Sequence, residues 1–326
     1  MKWLVKWLTR LVLALVVLAA TLWAVGPYED ATLQVQFDDA VLQGGVSAYL
    51  DRVESAYTDI TPGVQKRVIW ADAPESRTEW AVVYIHGFSA TSEEIRPVPD
   101  RIAEALGANL VMTRLQGHGR GSDAMAEGTV NGWMTDTAEA LAVARAVGER
   151  VLVISTSTGG TLVAAAAQNP DIFESVVGVI FVSPNFGVNS PLAPLLTFPA
   201  ARYWLPLVAG ERRGFEPLNE EQARYWTTEY PSVSVMPMGA LVQKVLALDM
   251  SRATVPALFW FSNEDRVVDP SATRRVASEW GGPVQITNPQ LTALDDPYAH
   301  VIAGDIISPG QTAAAVSGML DWIGGL

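Results

Sequence analysis

Ser157 stands in a stretch of sequence whose residue types suit a nucleophile. It follows the apolar run Val151-Leu-Val-Ile-Ser155 and precedes a run of small residues over 161–167. The first run predicts a strand buried on both faces and the second a helix, so Ser157 is expected on a tight, exposed turn between them. Such a turn holds the hydroxyl out at the C-terminal edge of a parallel sheet, beside free N–H groups at the start of the helix that can bind an oxyanion.

The residues two places before and two places after such a serine must be small, because both backbones crowd against it. Ser155 and Gly159 satisfy that requirement. The pattern Ser-x-Ser-x-Gly departs from the usual nucleophile elbow, Gly-x-Ser-x-Gly, at its first position. On this motif alone, an ordinary strand, a polar turn and an Ala-rich helix remain an alternative interpretation.

A serine nucleophile needs a histidine and an acid, and both follow later in the chain. His300 ends a polar loop, and Asp265 comes just after the buried strand predicted over 256–261. Asp265 is preferred because it stands immediately past the strand edge, with the two valines of Asp-x-Val-Val expected to point back to the core. Four nearby carboxylates are alternatives: Glu264, Asp269, Asp295 and Asp296. Asp269 precedes Pro270 and therefore also suits a helix cap.

Composition describes a globular chain with an acidic surface. Of its 326 residues, 49% are hydrophobic and 17% are charged, and the formal net charge is -13. That balance argues against a nucleic-acid partner. The chain has no cysteine and three histidines. Disulfides, thiolate ligands and cysteine nucleophiles are therefore excluded, and a multi-histidine metal centre is not expected.

Residues 1–27 predict a membrane anchor or an export signal. Three basic residues precede the uncharged stretch 11–25: Lys2, Lys6 and Arg10. We favour a retained single span, with its basic end in the cytoplasm and the catalytic domain on the non-cytoplasmic side of the membrane. The alternative is export after cleavage of the signal near Leu18-Ala-Ala20.

Residues 28–64 are acidic and loosely patterned, and we expect a linker followed by the edge of the domain. Within them, residues 32–37 alternate between polar and apolar types as a half-exposed strand does. The catalytic domain is expected over residues 65–326.

From residue 65 onward, predicted strands and helices alternate. Apolar runs predict strands over 81–85, 109–114, 151–155, 175–182 and 256–261, and a further strand is predicted over 283–287. This alternation predicts an α/β fold with a mostly parallel central sheet and helices on both faces. Ligands of such sheets bind at the C-terminal ends of the strands, where His86, His118 and Ser157 all fall. His86 and His118 are interpreted as residues that orient loops and do not transfer protons.

The alternation breaks between residues 185 and 252. Prolines recur there among aromatic residues, and only short helical pieces are indicated, such as 219–226 and 239–248. A long insertion after the C-terminal end of a strand is suited to covering a site. We therefore expect a helical lid.

These features together resemble the α/β-hydrolase superfamily, in which nucleophile, acid and histidine follow one another in this order. The specific marks are His86-Gly87-Phe88 after the first central strand, Gly117-His118-Gly119-x-Gly-Ser122, the elbow at Ser157, and Asp265-x-Val-Val after the insertion. The branch that the sequence resembles most is the monoacylglycerol-lipase-like and serine-aminopeptidase-like one, with its helical lid.

The resemblance implies a role for each residue. Ser157 would attack the substrate carbonyl and pass its proton to His300, while Asp265 would hold the imidazole in the required tautomer. The backbone N–H groups of Phe88 and Thr158 would form the oxyanion hole. The implied reaction is hydrolysis of carboxylic esters by an esterase or lipase, on a small-molecule or lipid-like substrate, without a metal or an organic cofactor.

Two other functions remain open from the sequence. One is a serine peptidase or aminopeptidase of the same fold, which would cleave peptide amides in preference to esters. The other is a membrane-anchored binding protein on an inactive hydrolase fold, which would not react with a serine-directed phosphonate.

Overall fold

The computed structural model describes residues 2–326. It begins with helix α1, Lys2–Val25, and none of the 24 residues of this helix is buried. The most apolar part of α1 has a mean hydropathy of 2.2, and among the described residues α1 is the one helix long and apolar enough to cross a membrane. A signal sequence near the N-terminus has the same properties.

The described residues form nine further helices: α2 Val46–Glu54, α3 Val98–Leu106, α4 Val130–Val147, α5 Thr158–Ala166, α6 Ala201–Ala209, α7 Glu220–Tyr225, α8 Val235–Val245, α9 Pro270–Glu279 and α10 Thr312–Ile323. They also form nine strands: β1 Arg67–Ile69, β2 Thr78–Ile85, β3 Asn109–Met112, β4 Gly148–Thr156, β5 Val176–Val182, β6 Arg212–Gly214, β7 Glu229–Pro231, β8 Ala257–Trp260 and β9 Val284–Thr287.

Seven strands form one sheet in the order β1-β3-β2-β4-β5-β8-β9. The edge strand β1 is antiparallel to β3, and every other pair in this sheet is parallel. The mostly parallel central sheet expected from the sequence is thus confirmed. The crossovers bring the C-terminal ends of β2, β4, β5 and β8 to one edge, which is where the candidate site lies.

Helices cover both faces of this sheet, and alternate side chains of the strands supply two separate cores. Val83 of β2 belongs to the core that contains Trp133 of α4. The next residue, Tyr84, belongs to the core that contains Ile102 of α3 and Met319 of α10. Strands buried on both faces must be apolar at every position, which explains why their sequences are continuous apolar runs.

The strand expected over residues 32–37 does not form. The alternating burial is present, since Leu33 and Val35 are buried between exposed neighbours. This segment lies on helix α4, where Arg145 forms an ion pair with Asp39 at 2.9 Å. The backbone N–H and C=O groups in the middle of a helix are already bonded to each other. The segment therefore finds no backbone partner on α4 and forms no strand, although its side chains alternate.

The insertion over residues 185–252 contains α6, α7 and α8, together with an antiparallel ribbon of β6 and β7 that the sequence does not reveal. It lies over the C-terminal edge of the sheet. The ring of Tyr230 packs edge-on against Phe88, with the ring centroids 5.3 Å apart. The N–H of Thr227 donates to the carbonyl oxygen of Ser89 at 2.7 Å. The insertion is therefore placed as a lid is.

Candidate active site

The nucleophile elbow forms at the junction of β4 and α5. Ser157 has φ 50° and ψ -119°, a conformation that a residue with a side chain adopts only under strain. The neighbouring strand crowds the turn, because a Cβ on Gly159 would collide with the carbonyl oxygen of Ile85 in β2. Glycine is therefore required two residues after the serine, as the motif predicts.

Ser155, at the unusual position of the elbow motif, is accommodated by a hydrogen bond. It is fully buried near the end of β4, and its hydroxyl donates to the carbonyl oxygen of Ile180 in β5 at 3.3 Å. Its polar group thus has a partner inside the sheet, which removes the main cost of burying it. Serine can therefore stand where glycine is usual.

The structure brings Ser157, His300 and Asp265 into one chain of hydrogen bonds. Nε2 of His300 lies 3.0 Å from Oγ of Ser157, and Nδ1 of the same ring lies 2.8 Å from Oδ2 of Asp265. A histidine bonded through both nitrogens can accept a proton from the hydroxyl, while the carboxylate fixes the orientation of the ring. This geometry suits nucleophilic catalysis on an acyl group.

Asp265 is held in place by the backbone of its own loop. Its Oδ1 accepts hydrogen bonds from the N–H groups of Val267 and Val268 at 2.8 and 2.9 Å, which leaves Oδ2 for His300. The expectation that both valines point to the core is wrong, because Val268 is buried but Val267 is 41% exposed. The carboxylate is oriented by backbone hydrogen bonds, and only one of the two side chains acts as an apolar anchor.

The four alternative acids have other environments. Asp269 accepts from the first turn of α9 and is that helix's N-cap, as its alternative interpretation predicts. Asp295 accepts hydrogen bonds within its own loop, and Asp296 accepts the backbone N–H of His300 at 3.1 Å. Glu264 is exposed. Of the five carboxylates, Asp265 is the one bonded to the imidazole.

His300 is buried, and its charge state depends on the acids around it. Burial alone would lower the pKa of His300, but the charge and hydrogen bond of Asp265 outweigh burial and raise it above the ordinary value. Glu94 and Asp296 raise the pKa of His300 further through their charges. A protonated imidazole is therefore stabilised at this position.

The predicted oxyanion donors lie on two sides of Ser157. Thr158 is the first residue of α5, a position whose N–H has no partner within its helix. Phe88 follows Gly87, and Gly87 lies directly against the nucleophile, since a Cβ on it would come within 3.0 Å of Cβ of Ser157. Both backbones thus pass close to the point where a carbonyl oxygen would be bound.

His86 and His118 are buried beside the Phe88 loop. Nδ1 of His86 lies 2.9 Å from the carbonyl oxygen of Gly87, and its Nε2 accepts the N–H of Leu115 at 3.1 Å. Burial lowers the pKa of His86 to about 3 and that of His118 to about 4. Both rings are therefore neutral near pH 7, which supports the interpretation that they orient loops.

Sequence reasoning missed Glu94, a carboxyl group buried close to the elbow. Glu94 lies in the turn before α3, which begins only at Val98, and its side chain is buried. Its Oε2 accepts the N–H of Gly87 and the hydroxyl of Tyr84, each at 2.8 Å. Burial raises the pKa of Glu94 above its usual value. Acidic residues are common at the start of helices, so the sequence carries no signal of this role.

The site is covered. Ser157 and His300 are each 7% exposed, so the expectation of an exposed turn is wrong. The insertion begins on the elbow itself, where the N–H of Asn185 donates to the carbonyl oxygen of Ser157 at 2.9 Å.

A cavity of about 360 Å³ lies between the insertion and the loop that contains Arg120, but none of the three triad residues lines it. Within residues 2–326 no cluster of side chains is arranged to hold a metal ion.

Comparisons with known proteins agree with this fold. The family described as serine aminopeptidase, S33, matches residues 76–287 of the chain. A thermostable monoacylglycerol lipase of Bacillus sp. (strain H-257) is 25% identical over 190 residues, which are 58% of this chain and 72% of that protein.

Two solved structures illustrate the similarity of fold. One represents the metagenome-derived lipolytic enzymes LipS and LipT, with a TM-score of 0.63 and 20% identity over 82% of this chain and 100% of that one. The other is a soluble variant of the monoglyceride lipase of Saccharomyces cerevisiae in complex with a substrate analogue. Its TM-score is 0.58, with 12% identity over 81% of this chain and 96% of that chain.

Proposed function

Because the chain belongs to the serine aminopeptidase S33 family, in the monoacylglycerol-lipase-like branch of the α/β-hydrolases, we propose that it cleaves carboxylic esters with Ser157 as nucleophile. The chain is a lipase- or esterase-like hydrolase. The observation that carries the finer proposal is the hydrogen-bonded chain Ser157–His300–Asp265 at the C-terminal edge of the sheet.

In the first half of the reaction, Oγ of Ser157 attacks the ester carbonyl carbon while Nε2 of His300 takes the hydroxyl proton. Asp265 keeps the proton of Nδ1 in place and stabilises the imidazolium. His300 then returns the proton to the alcohol oxygen, the bond between that oxygen and the acyl carbon breaks, and an acyl-serine remains. The leaving alcohol thus departs neutral.

In the second half, a water molecule attacks the acyl-serine. His300 accepts a proton from the water and passes it to Oγ of Ser157, so the acid is released and the serine is restored. In both halves the carbonyl oxygen becomes an anion, and the N–H groups of Phe88 and Thr158 are the donors we assign to it. One such donor contributes about 2.7–4 kcal/mol to stabilising the transition state.

We propose a lipid-like ester, such as one with a single acyl chain, as the substrate class. The Bacillus relative is a monoacylglycerol lipase, and that similarity supports the proposal. The insertion covers a site that is buried from water, and such cover favours an apolar acyl group over a polar one. Phe88 and Tyr230 supply aromatic surface next to the elbow.

We propose that α1 is a retained anchor, which leaves the catalytic domain on the non-cytoplasmic side. Its uncharged part, residues 11–25, is about 22 Å long at 1.5 Å per residue. Lys6 and Arg10 can extend their long side chains to the headgroups, so the 24-residue helix can cross the roughly 30 Å apolar layer of a bilayer. Lys2 and Lys6 lie at its start, and basic residues favour the cytoplasmic side. Recovery of a soluble form beginning after Ala20 would instead establish a cleaved signal.

The proposed chemistry is tested by labelling with a fluorophosphonate, followed by a chain-length series of nitrophenyl esters and a matched set of peptide amides. We expect labelling at Ser157 and faster turnover of esters than of amides. Faster cleavage of the amides would make the protein a peptidase of the same fold. No labelling and no turnover would indicate an inactive hydrolase fold that binds its ligand.

A further inference from the structure

A buried carboxylate connects the ends of the two strands that carry the candidate site. Glu94 is 2% exposed and lies in the turn before α3. Its Oε2 accepts the N–H of Gly87, which follows β2, and the hydroxyl of Tyr84, which belongs to β2. The phenol oxygen of Tyr84 lies 3.0 Å from Oγ1 of Thr156, the residue before Ser157. One side chain thus reaches the residues after β2 directly and the elbow through one tyrosine.

The N–H of Gly87 takes its acceptor from outside the sheet. The ladder between β2 and β4 ends at Ile85, which pairs with Ser155. Gly87 lies two residues beyond that pair, where the chain leaves the sheet. Buried backbone N–H groups are almost always paired, and here the carboxylate of Glu94 accepts the hydrogen bond at 2.8 Å.

Gly87 lies against both Glu94 and the nucleophile. A Cβ on Gly87 would come within 2.8 Å of Oε1 of Glu94 and 3.0 Å of Cβ of Ser157. No side chain fits between the carboxylate and the serine, so glycine is required at this position. Glycine also has the widest range of φ and ψ, and the backbone at Gly87 therefore needs contacts that hold it in one conformation.

The two peptide groups that flank Gly87 are held by different side chains. Nε2 of His86 accepts the N–H of Leu115, so the proton of the neutral ring is on Nδ1, which donates to the carbonyl oxygen of Gly87 at 2.9 Å. That carbonyl belongs to the same peptide group as the N–H of Phe88, and the two point in opposite directions in a trans peptide. The preceding peptide group is held through its N–H by Glu94.

Packing of the Phe88 ring does not by itself fix this backbone. The ring packs edge-on against His118 and Tyr230, with centroid distances of 5.6 and 5.3 Å. These contacts hold the side chain, but the peptide group before Phe88 can still rotate about the ψ of Gly87 and the φ of Phe88. The direction of the Phe88 N–H therefore depends on the hydrogen bonds at Gly87.

We infer that Glu94 is a positioning residue for the oxyanion hole, which holds the backbone at Gly87 so that the N–H of Phe88 faces the substrate carbonyl oxygen. This inference rests on the proposed function, in which Phe88 is one of the two donors. Glu94 acts through Gly87 and does not touch the substrate. Support of β2 through Tyr84 accounts for less, because the hydroxyl of Tyr84 has a second neighbour in Thr156.

Glu94→Ala and Glu94→Gln separate positioning from the loss of a charge. The glutamine carbonyl can still accept the N–H of Gly87, so Glu94→Gln should keep most of kcat on a soluble nitrophenyl ester. Glu94→Ala should lower kcat by about 10- to 100-fold with little change in KM, since removing one oxyanion donor outright costs about 10²–10³-fold and a misdirected donor costs less. Each kcat is measured on the alkaline plateau of the pH profile, where His300 is unprotonated in every variant. Equal losses in the two variants, or a change in KM alone, would overturn the inference.

Inhibition by an alkyl trifluoromethyl ketone reports on the oxyanion hole itself. Oγ of Ser157 bonds to the ketone carbon, the hydroxyl proton passes to His300, and the ketone oxygen becomes an anion where the ester carbonyl oxygen would. Glu94→Ala should weaken this inhibition by about the factor by which kcat falls, and Glu94→Gln should be inhibited nearly as well as the unchanged protein. A lowered kcat in Glu94→Ala with unchanged inhibition would overturn the inference.

Two further variants serve as matched controls. Glu93 lies in the same turn, but its carboxylate pairs with Arg67 and Arg96 at 3.0 and 2.9 Å, so Glu93→Gln should leave kcat and inhibition unchanged. Tyr84→Phe removes the other hydrogen bond to Glu94 and leaves that of Gly87, so it should keep most of kcat. A loss in either control as large as that in Glu94→Ala would assign the effect to support of the fold and overturn the inference.

Hydrogen exchange checks the geometry without any measurement of activity. The peptide over residues 84–90 should exchange faster in Glu94→Ala than in Glu94→Gln or the unchanged protein, while peptides from α5 exchange at one rate in all three. Glu94→Met fills the same space without a strong acceptor and replaces the alanine variant if that variant unfolds. Unchanged exchange over 84–90 in a folded variant that lacks the carboxylate would overturn the inference.

Failure of this inference can be told apart from failure of the proposed function. An unchanged protein that neither reacts with the fluorophosphonate nor cleaves any ester would reject the proposed function, and this inference with it. A labelled, active protein whose Glu94→Ala variant keeps its full kcat would overturn this inference alone.

Discussion

The C-terminal edge of the sheet and the insertion above it use apolar residues in opposite ways. Leu152 in β4 is fully buried, whereas Leu207 in α6 is 80% exposed. In the central strands of the sheet, the apolar side chains pack against helices on one face or the other, so these strands are rigid supports for the site residues. In the insertion, part of the apolar surface has no intramolecular partner. Apolar sequence therefore indicates a contact, but it does not say whether that contact lies inside the chain.

The largest effect is expected at the candidate site on the C-terminal edge of the sheet. Ser157→Ala removes the nucleophile and should lower ester turnover by roughly 10⁴-fold or more, because only binding and the oxyanion donors remain. Loss of fluorophosphonate labelling with an unchanged circular dichroism spectrum is the measurement. Ser155→Ala is its control and should keep its labelling. Labelling lost in Ser155→Ala and kept in Ser157→Ala would reassign the nucleophile.

The next effect concerns the acid. Asp265→Asn should lower kcat by about 10⁴-fold with little change in KM, because the amide favours the wrong tautomer of His300. Asp269→Asn is the matched control, because it alters only a helix cap, where asparagine caps nearly as well as aspartate, and should leave kcat unchanged. Near-normal turnover in Asp265→Asn together with a collapse in another acid variant would move the role to that residue.

A matched pair of leucine-to-alanine variants tests the comparison through the free energy of unfolding. Leu152→Ala should lower the free energy of unfolding by about 2–5 kcal/mol, because it opens a cavity between strands and helices. Leu207→Ala should change the free energy of unfolding by less than about 0.5 kcal/mol, because the exposed side chain makes few packing contacts. Urea denaturation in detergent measures both. Similar losses in the two variants would show that α6 is packed within the protein.

The smallest effect is a shift in pH dependence. His300 must be unprotonated to act as a base, so kcat/KM should rise with pH through the pKa of His300, which its acidic neighbours hold above 6.5. Glu94→Gln removes one of those negative charges, so the rise should move to lower pH. A pH profile of kcat/KM on a soluble ester checks this, and a shift to higher pH would contradict it.

The sheet could be predicted from the sequence because its cause is local. A strand buried on both faces is apolar along most of its length, and residues 151–154 and 179–182 show this directly. The sequence signal of the elbow is local too, since Ser157 and Gly159 are only two positions apart in the chain. The resemblance then rested on the order of Ser157, Asp265 and His300, and the structure brings the three side chains together.

What the sequence does not reveal depends on contacts between distant segments. Glu94 resembles any acidic residue before a helix until Gly87 and Tyr84 are seen around it. The burial of Ser157 depends on where an insertion folds, and the exposed position of Val267 depends on the backbone hydrogen bonds to Asp265. None of these has a periodic signature, so no pattern in one segment can predict them.

The short junction between α1 and α6 has a kinetic consequence. A catalytic domain attached through a long free linker would sample a volume around its anchor. Here the hydrogen bond from Ala200 to Pro27 and the ion pair of Arg202 with Glu29 hold the insertion beside the point where the chain leaves α1. If α1 is retained as the proposed anchor, an enzyme held this way would diffuse laterally at one fixed height and would encounter membrane-borne esters by a search in two dimensions. Its rate would then depend on the amount of substrate per area of membrane, and not on the amount per volume of solution.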